Sequence, residues 1–294
     1  MGGRRGLTVF QRILREALEQ VPYGEVTTFK IIAEALGDGR AALAVRNECM
    51  RLSKMDPDIP WWRVVSSKLE PIPGAEEKLR EEGGIERAKM GNFFRELDVW
   101  PIFKVMASDQ VKLSEKLILS ELGDVSVAAG VDVSYIDDRA VACCVTVDEE
   151  LKIIEVRFER FSPQIPYVPT YLAFRELRGM LPVSMKCDFD AIFVDGHGVL
   201  HPRGLGEASH LGLLLGKPSI GVAKSKLVGE VEGGYVKFMG RNSAALHRGG
   251  FISPGHLSDL ESALKASLKF WKEGNQPFPL KLAHSLSKSA KFSD

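Results

Sequence analysis

Residues 125–161 read VSVAAGVDVSYIDDRAVACCVTVDEELKIIEVRFERF, and the fold is decided there. Three β-rich runs, Val125–Val133, Ala140–Val147 and Lys152–Phe161, are separated by the turn formers Asp137-Asp138 and Asp148-Glu149-Glu150. That spacing predicts an antiparallel meander. The rhythm then changes. A helix over Pro169–Leu181, an apolar strand Ala191–Val194, a helix Gly206–Leu215, a strand Ser219–Ala223 and a last helix near Leu257–Trp271 follow one another. A meander continued by alternating helix and strand makes an α/β unit, a mixed sheet with helices on its faces.

Upstream the pattern is helical. Apolar residues from Val9 to Leu18 recur at helical spacing until Val21-Pro22-Tyr23-Gly24 breaks them. Thr27 or Thr28 can cap a second helix, Phe29–Leu36, stopped by Gly37, and a third can run from Ala41 to about Ser53. Two short helices joined by a glycine-bearing turn are shared by helix-turn-helix domains and plain three-helix bundles. Glycine, proline and charge crowd Pro71–Gly84 and the order changes near Gly91–Pro101, so two domains are expected, 1–95 and 96–294.

Composition narrows the class. The 294 residues carry 39 basic and 39 acidic side chains, and 16 of each fall within residues 1–98, so neither half is basic overall. Nucleic-acid binding would need local patches. The stretch from Lys265 to Asp294, with six lysines, is one candidate patch and equally a frayed solubilising tail. No apolar run is long enough to span a membrane. The four cysteines show no CxxC spacing, which fits a reducing cytoplasm rather than a disulfide scaffold or zinc knuckle.

Three carboxylates stand where chemistry is expected. Asp132 sits late in an apolar strand, where a buried charge requires a positive partner. Asp195 follows the strand AIFV and opens a glycine-bearing loop, at the strand end where α/β sheets gather ligands. Glu176 lies in the helical run YLAFRELRGML. Acids on three separate elements suit magnesium or manganese and a phosphate. His256 either caps the following helix or serves as acid, base or metal ligand, and Lys224 is a surface lysine or a phosphate contact.

The strings GVDVSY, PYVPTYLAFRE, FVDGHGVLHPRGLGEASHLGLLLGKPSIGVAKSKLVG and SPGH, in order from Gly130 to His256, strongly resemble endonuclease V. The resemblance implies a ribonuclease H-like fold and a Mg2+- or Mn2+-dependent nick in DNA, usually at the second phosphodiester bond 3′ of deoxyinosine, with inosine in RNA as an alternative substrate. It implies that Asp132, Glu176 and Asp195 gather the metal and that His256 completes the acidic site. His201 and Lys224 match further active-site positions. Tyr167 matches a wedge tyrosine that fills the space left by an extruded base, and stacking there offsets the cost of extrusion. Tyr171, Leu172, Gly196 and Gly206 fall where the family builds its base pocket. Thr170 departs from the glycine usual there.

The strings VPYGEVTTFKIIAEALG and IPWWRVVSS resemble the DNA-binding domain of alkylguanine-DNA alkyltransferases, a winged helix-turn-helix. The acceptor cysteine of that family's PCHRV motif is replaced by Trp61, and its histidine by Trp62, so no alkyl transfer is expected. Leu43 occupies the position of an arginine that enters the base stack, and Phe29 that of a tyrosine. Arg40, Arg46 and Arg51 are candidate phosphate contacts, Leu43 a candidate wedge, and Trp61 and Trp62 are core aromatics or a stacking platform. Together the resemblances imply a cytoplasmic, monomeric repair endonuclease carrying a non-catalytic module for damaged, including alkylated, DNA. A damage-binding protein without nuclease activity is the reading from another class.

Overall fold

The computed structural model describes residues 6–290. Its internal contacts divide the chain into two units, residues 1–107 with 164–171, and residues 108–163 with 172–294.

The first unit is helical. Helix α1 (Val9–Glu19) starts at a capping box formed by Thr8 and Gln11 and buries Phe10, Ile13, Leu14, Ala17 and Leu18 along one face. The short strand β1 (Thr27–Thr28) leads into α2 (Phe29–Ala35), whose first turn is capped by the Thr28 hydroxyl accepting from Ile31 N at 3.1 Å. Gly37, at φ +102°, stops it as expected, and a Cβ there would come within 2.5 Å of the Lys104 amide nitrogen. A 3-10 turn leads into α3 (Ala42–Met55). Strand β2 (Val64–Val65) pairs in parallel with β1, and α4 (Glu76–Glu82) and α5 (Gly84–Lys89) follow. The expected wing is reduced to a tight turn, closed by the Ser66 amide donating to Glu70 O at 2.8 Å and by a single bridge between Val65 and Pro71.

The division falls later than residue 95 because Ile102 and Phe103, at the start of α6 (Ile102–Ser114), are buried in the first unit. Its second piece, residues 164–171, is held just as firmly. Phe10 N donates to Gln164 O at 3.2 Å, the Tyr171 ring lies 5.2 Å from that of Phe103, and the Tyr171 hydroxyl donates to Asp38 at 2.9 Å. Against the opposing effect of burial, hydrogen bonds from Arg40 and Tyr171 draw the Asp38 carboxyl down to about 2. Thr170 holds φ +74°, so the backbone keeps the left-handed shape that a glycine would adopt freely, with a β-branched residue bearing the strain.

The second unit is a nine-stranded sheet in the order β5-β4-β3-β6-β7-β11-β10-β9-β8. The meander comprises β3 (Ala128–Ile136), β4 (Arg139–Val147) and β5 (Ile153–Phe161), all antiparallel. After α7 (Leu172–Ser184), strand β6 (Ala191–Val194) adds in parallel to β3; α8 (Glu207–Leu215) then returns the chain to β7 (Ser219–Ala223), parallel to β6. A second meander, β8 (Glu230–Glu232), β9 (Tyr235–Phe238), β10 (Arg241–His247) and β11 (Gly250–Pro254), was not expected from the sequence. Its runs are short and β8 is wholly exposed, so the alternation that signals a strand is faint.

Two helices close the fold, α9 (Leu260–Lys269) and α10 (Phe278–Ala290). The stretch read as a basic patch or frayed tail is therefore largely structural; Lys291 lies outside the described residues. One face of the sheet packs Val131, Ile192 and Val194 against α7 and α8. The other packs Ala128, Phe193 and Ile220 against α9 and α10. No described helix is long and apolar enough to cross a membrane.

Strand β3 meets α10 at Gly130, where a Cβ would come within 2.3 Å of Leu280 N and Pro279 C. Since the obstruction is backbone, Gly130→Ala should destabilise the unit by about 2–3 kcal/mol in urea unfolding. An unchanged midpoint would mean that α10 does not seat there.

Candidate functional site

The site is built by strand register. Val131 on β3 is paired with Val194 on β6, so the residues that follow them, Asp132 and Asp195, emerge side by side at the carboxyl end of the parallel pair. Both follow the alternation of Ala128 and Phe193, placing them on the face covered by α10. That helix supplies the next groups. His284 Nδ1 lies 3.0 Å from Asp132 Oδ2, and the Ser287 hydroxyl donates to the same oxygen at 3.2 Å. A carboxylate acceptor selects the tautomer with the proton on Nδ1. Ligand atoms of Asp132, Asp195 and His284 all lie within 4.8 Å of one another. Lys224, one residue beyond β7, donates to Asp195 Oδ2 at 2.6 Å.

Glu176 comes from α7, on the opposite face of the sheet, and accepts from the Tyr135 hydroxyl at 2.5 Å. Burial pushes its carboxyl up to about 7, and the charge of Asp132 acts in the same sense. Asp132 is raised for the same two kinds of reason, burial first and then Asp195, against the lowering effect of His284. Glu207, the first residue of α8, is buried beside them. Its Oε2 sits 2.7 Å from where a Cβ on Gly196 would be, so a side chain after Asp195 would have to shift the end of Glu207.

This donor set fits a divalent cation. The carboxylate oxygens of Asp132 and Asp195 are hard-ion ligands, the His284 imidazole beside them is a borderline nitrogen donor, and the Lys224 ammonium already sits on one of those oxygens as a cation would. Asp132 and Asp195 are balanced here by the Lys224 ammonium on Asp195 and by His284 on Asp132, while Glu176 and Glu207 are buried on the other face.

Not every expected residue gathers here. His256 is at the other end of the parallel strands: its amide donates to the Ser219 hydroxyl at 2.9 Å and its Nδ1 accepts from Ile118 N at 3.3 Å. Asp195 lies beyond Gly221 in the register, so three residues, about 10 Å of strand, separate the two levels. The histidine beside the acids is His284, from a segment read as tail. Its signal was present in Leu280, Ala283 and Ser287, which recur at helical spacing and are buried. His201 is buried beneath the loop after β6, with Nδ1 accepting from Arg203 N at 3.3 Å. Gly206 caps α8 against His197 O, where a Cβ would approach to 2.3 Å, and Leu172 starts α7 half-buried.

In the first unit, Tyr167 is 62% exposed and Tyr171 is buried. Leu43 projects from the first turn of α3, 67% exposed, with Arg46 one turn on and half-buried. Arg40 and Arg51 are ion-paired with Asp38 and Glu48. Trp61 is packed edge-on against Trp62, whose indole N–H donates to Glu82 at 2.8 Å while Lys78 Nζ sits 3.7 Å over its ring. Both tryptophans are built into the packing.

A family model described as Endonuclease V matches residues 108–285, and one described as the DNA binding domain of 6-O-methylguanine DNA methyltransferase matches residues 9–89. Solved structures agree on the fold. Endonuclease V from Streptomyces avermitilis is 32% identical with TM-score 0.59, covering 64% of this chain and 92% of its own. Endonuclease V from Ciona intestinalis, in complex with DNA containing an inosine followed by a ribo-adenosine, is 28% identical with TM-score 0.56, covering 64% and 96%. Fold and site define a nuclease with a ribonuclease H-like sheet. The chain belongs to the endonuclease V family. It is also 30% identical over 290 residues, 95% of this chain and 91% of the relative, to the bifunctional methyltransferase-like/endonuclease of Nanoarchaeum equitans. The domain combination thus recurs in that relative.

A raised carboxyl stabilises the fold only while protonated. Its contribution is complete below the ordinary value of 4.5 and is lost as the pH rises through about 7 for Glu176, with Asp132 and Glu207 acting in the same direction. Chelator-treated protein should therefore melt at progressively lower temperature as the pH climbs from about 4.5 to 7. The loss should reach a few kcal/mol, since each tenfold change in a carboxyl's proton affinity is worth about 1.4 kcal/mol. Glu176→Gln should flatten that slope, and a melting temperature that rises over the same range would contradict the assigned burial.

Proposed function

We propose that this chain is a metal-dependent repair endonuclease that nicks DNA on the 3′ side of deoxyinosine, usually at the second phosphodiester bond, and that its first unit is a non-catalytic DNA-binding module. The observation that carries the reading is the convergence of Asp132, Asp195 and His284 within 4.8 Å at the carboxyl end of a family-typical sheet. Magnesium or manganese held there would supply Lewis-acid charge to the phosphodiester and acidify an attacking water.

The chain's own residues do the rest. His284 and Ser287 fix the Asp132 carboxylate, and Tyr135 fixes Glu176, so the acids are oriented before substrate arrives. Lys224 holds its ammonium beside Asp195, within reach of a phosphate oxygen. Exposed Tyr167 is suited to fill the stack when a base is extruded. Within the second unit, Leu172, Gly196 and Gly206 offer backbone to that base; within the first, the Tyr171 hydroxyl is engaged by Asp38.

Alkyl transfer has no acceptor. All four cysteines are buried, and burial raises the thiol of Cys49, the one cysteine in the first unit, far above its ordinary value. The exposed side of α3, carrying Leu43 and Arg46, is the surface offered to DNA.

An inosine endoribonuclease is the second reading, favoured by the ribo-adenosine in the Ciona complex. Matched DNA and RNA strands containing one inosine separate the two: faster cleavage of DNA is expected, and cleavage of RNA alone would select the second. Asp195→Asn should remove cleavage of both while leaving binding intact. Leu43→Glu should weaken affinity for duplex DNA several-fold without changing the rate of cleavage at saturation; equal affinity would remove α3 from the interface.

A further inference from the structure

Two loops leave the carboxyl ends of β6 and β7, and one side chain ties them together. Asp195 opens the first loop and Lys224 the second, with the Lys224 ammonium 2.6 Å from Asp195 Oδ2. Residues 224–227 follow β7 without helix or strand, and all four are exposed. A lysine carries its charge on a flexible stem, and an ion pair that leaves 45% of the lysine side chain exposed imposes little order by itself.

The tie is His197. Its ring Nε2–H donates at 2.9 Å to Ser225 O, the carbonyl of the residue after Lys224. A carbonyl only accepts, so the partner places the proton on Nε2; that nitrogen is a donor in the neutral tautomer and in the imidazolium alike. Nδ1 is enclosed and meets no donor among the described residues, so the ring is bonded through Nε2.

The backbone behind the ring is packed into regular structure. His197 O accepts from Ala208 N at 3.0 Å in the first turn of α8, and a Cβ on Gly221 of β7 would come within 2.6 Å of His197 C. Gly198, next in sequence, donates its amide to the Ser253 hydroxyl at 2.7 Å. A ring mounted between strand and helix thus grips a loop that is neither.

We propose that His197 is a positioning residue for Lys224: by holding Ser225 O it fixes the backbone that carries the lysine, and so keeps the ammonium at Asp195 rather than in solvent. The inference rests on the reading of this strand end as the place where a phosphodiester is cleaved, and adds to it how the lysine that faces the phosphate is kept there.

The test uses the full chain with His197→Phe, which keeps a flat ring and loses the donor, and His197→Gln, whose amide nitrogen can stand where Nε2 stands. The first measurement needs no metal. Lys224 is acetylated with an N-hydroxysuccinimide ester in the presence of chelator, and its rate is read by peptide mass spectrometry against that of exposed Lys30. Lys224 should react several-fold faster in His197→Phe than in wild type, and His197→Gln should restore the slow rate; equal rates in wild type and His197→Phe would overturn the proposal. The second measurement is single-turnover cleavage of a deoxyinosine duplex with magnesium. His197→Phe should be slower by about tenfold with duplex affinity little changed, because a displaced charge is felt most in the transition state. In a Lys224→Met background the same change should slow cleavage no further. Losses that multiply in the double variant would mean that His197 acts other than through Lys224, and the proposal would fall. A wild type that cleaves neither inosine-containing DNA nor RNA, while His197→Phe still uncovers Lys224, would contradict the nuclease reading and leave the positioning of Lys224 in place.

Discussion

Parallel pairing of β3 with β6 sets Asp132 beside Asp195, and the repulsion between those two enclosed carboxylates is the constraint from which the rest of the site follows. At separations of a few ångströms in a medium of low effective dielectric, like charges cost several kcal/mol unless something opposes them. The fold opposes them from three directions. Lys224 reaches in from β7, His284 and Ser287 from α10, and Tyr135 restrains Glu176 on the far face. These contacts balance Asp132 and Asp195 and orient them for a cation and a phosphate.

The sheet's central strands were legible because each is either continuously apolar or regularly alternating. Ala191–Val194 and Ser219–Ala223 were read at the residues where they occur, and the first meander within a few residues of its ends. The strands β8 to β11 were not, since turns at Gly233, Gly234, Gly240 and Gly249 cut them into pieces too short to show a period. Asp132, Glu176, Asp195 and Lys224 were singled out from strand ends and motif, and the structure groups Asp132 and Asp195 with His284 and sets Lys224 on Asp195. His284 was missed because its lysine-rich surroundings suggested solvent, whereas the buried stripe of Leu280, Ala283 and Ser287 was the feature that counted. His256 was read in two ways. A histidine in a glycine-proline turn beside a helix start is as readily a structural residue, and here it bonds Ser219 and Ile118.

In the first unit the helices and their stops were legible from Thr28 and Gly37, while the extent of the unit was not. Ile102 and Phe103, beyond the glycine- and proline-rich stretch, belong to its core, and residues 164–171 join it through hydrogen bonds and ring packing that no local pattern announces. Thr170 is the instructive case. Thr170 departs from the glycine usual there, and its backbone holds a left-handed conformation. Trp61 and Trp62, at the positions where the resemblance puts a cysteine and a histidine, pack edge to face in a unit that matches a DNA-binding domain.

The central claim is that the acids at the carboxyl end of β3 and β6 are a site for a divalent cation. The most direct measurement is the melting temperature of the full chain at pH 8 as magnesium is titrated in. Stabilisation should grow with the logarithm of magnesium concentration above the dissociation constant, and Asp132→Asn should abolish most of it. A wild-type melting temperature that does not move with magnesium or manganese would contradict the account.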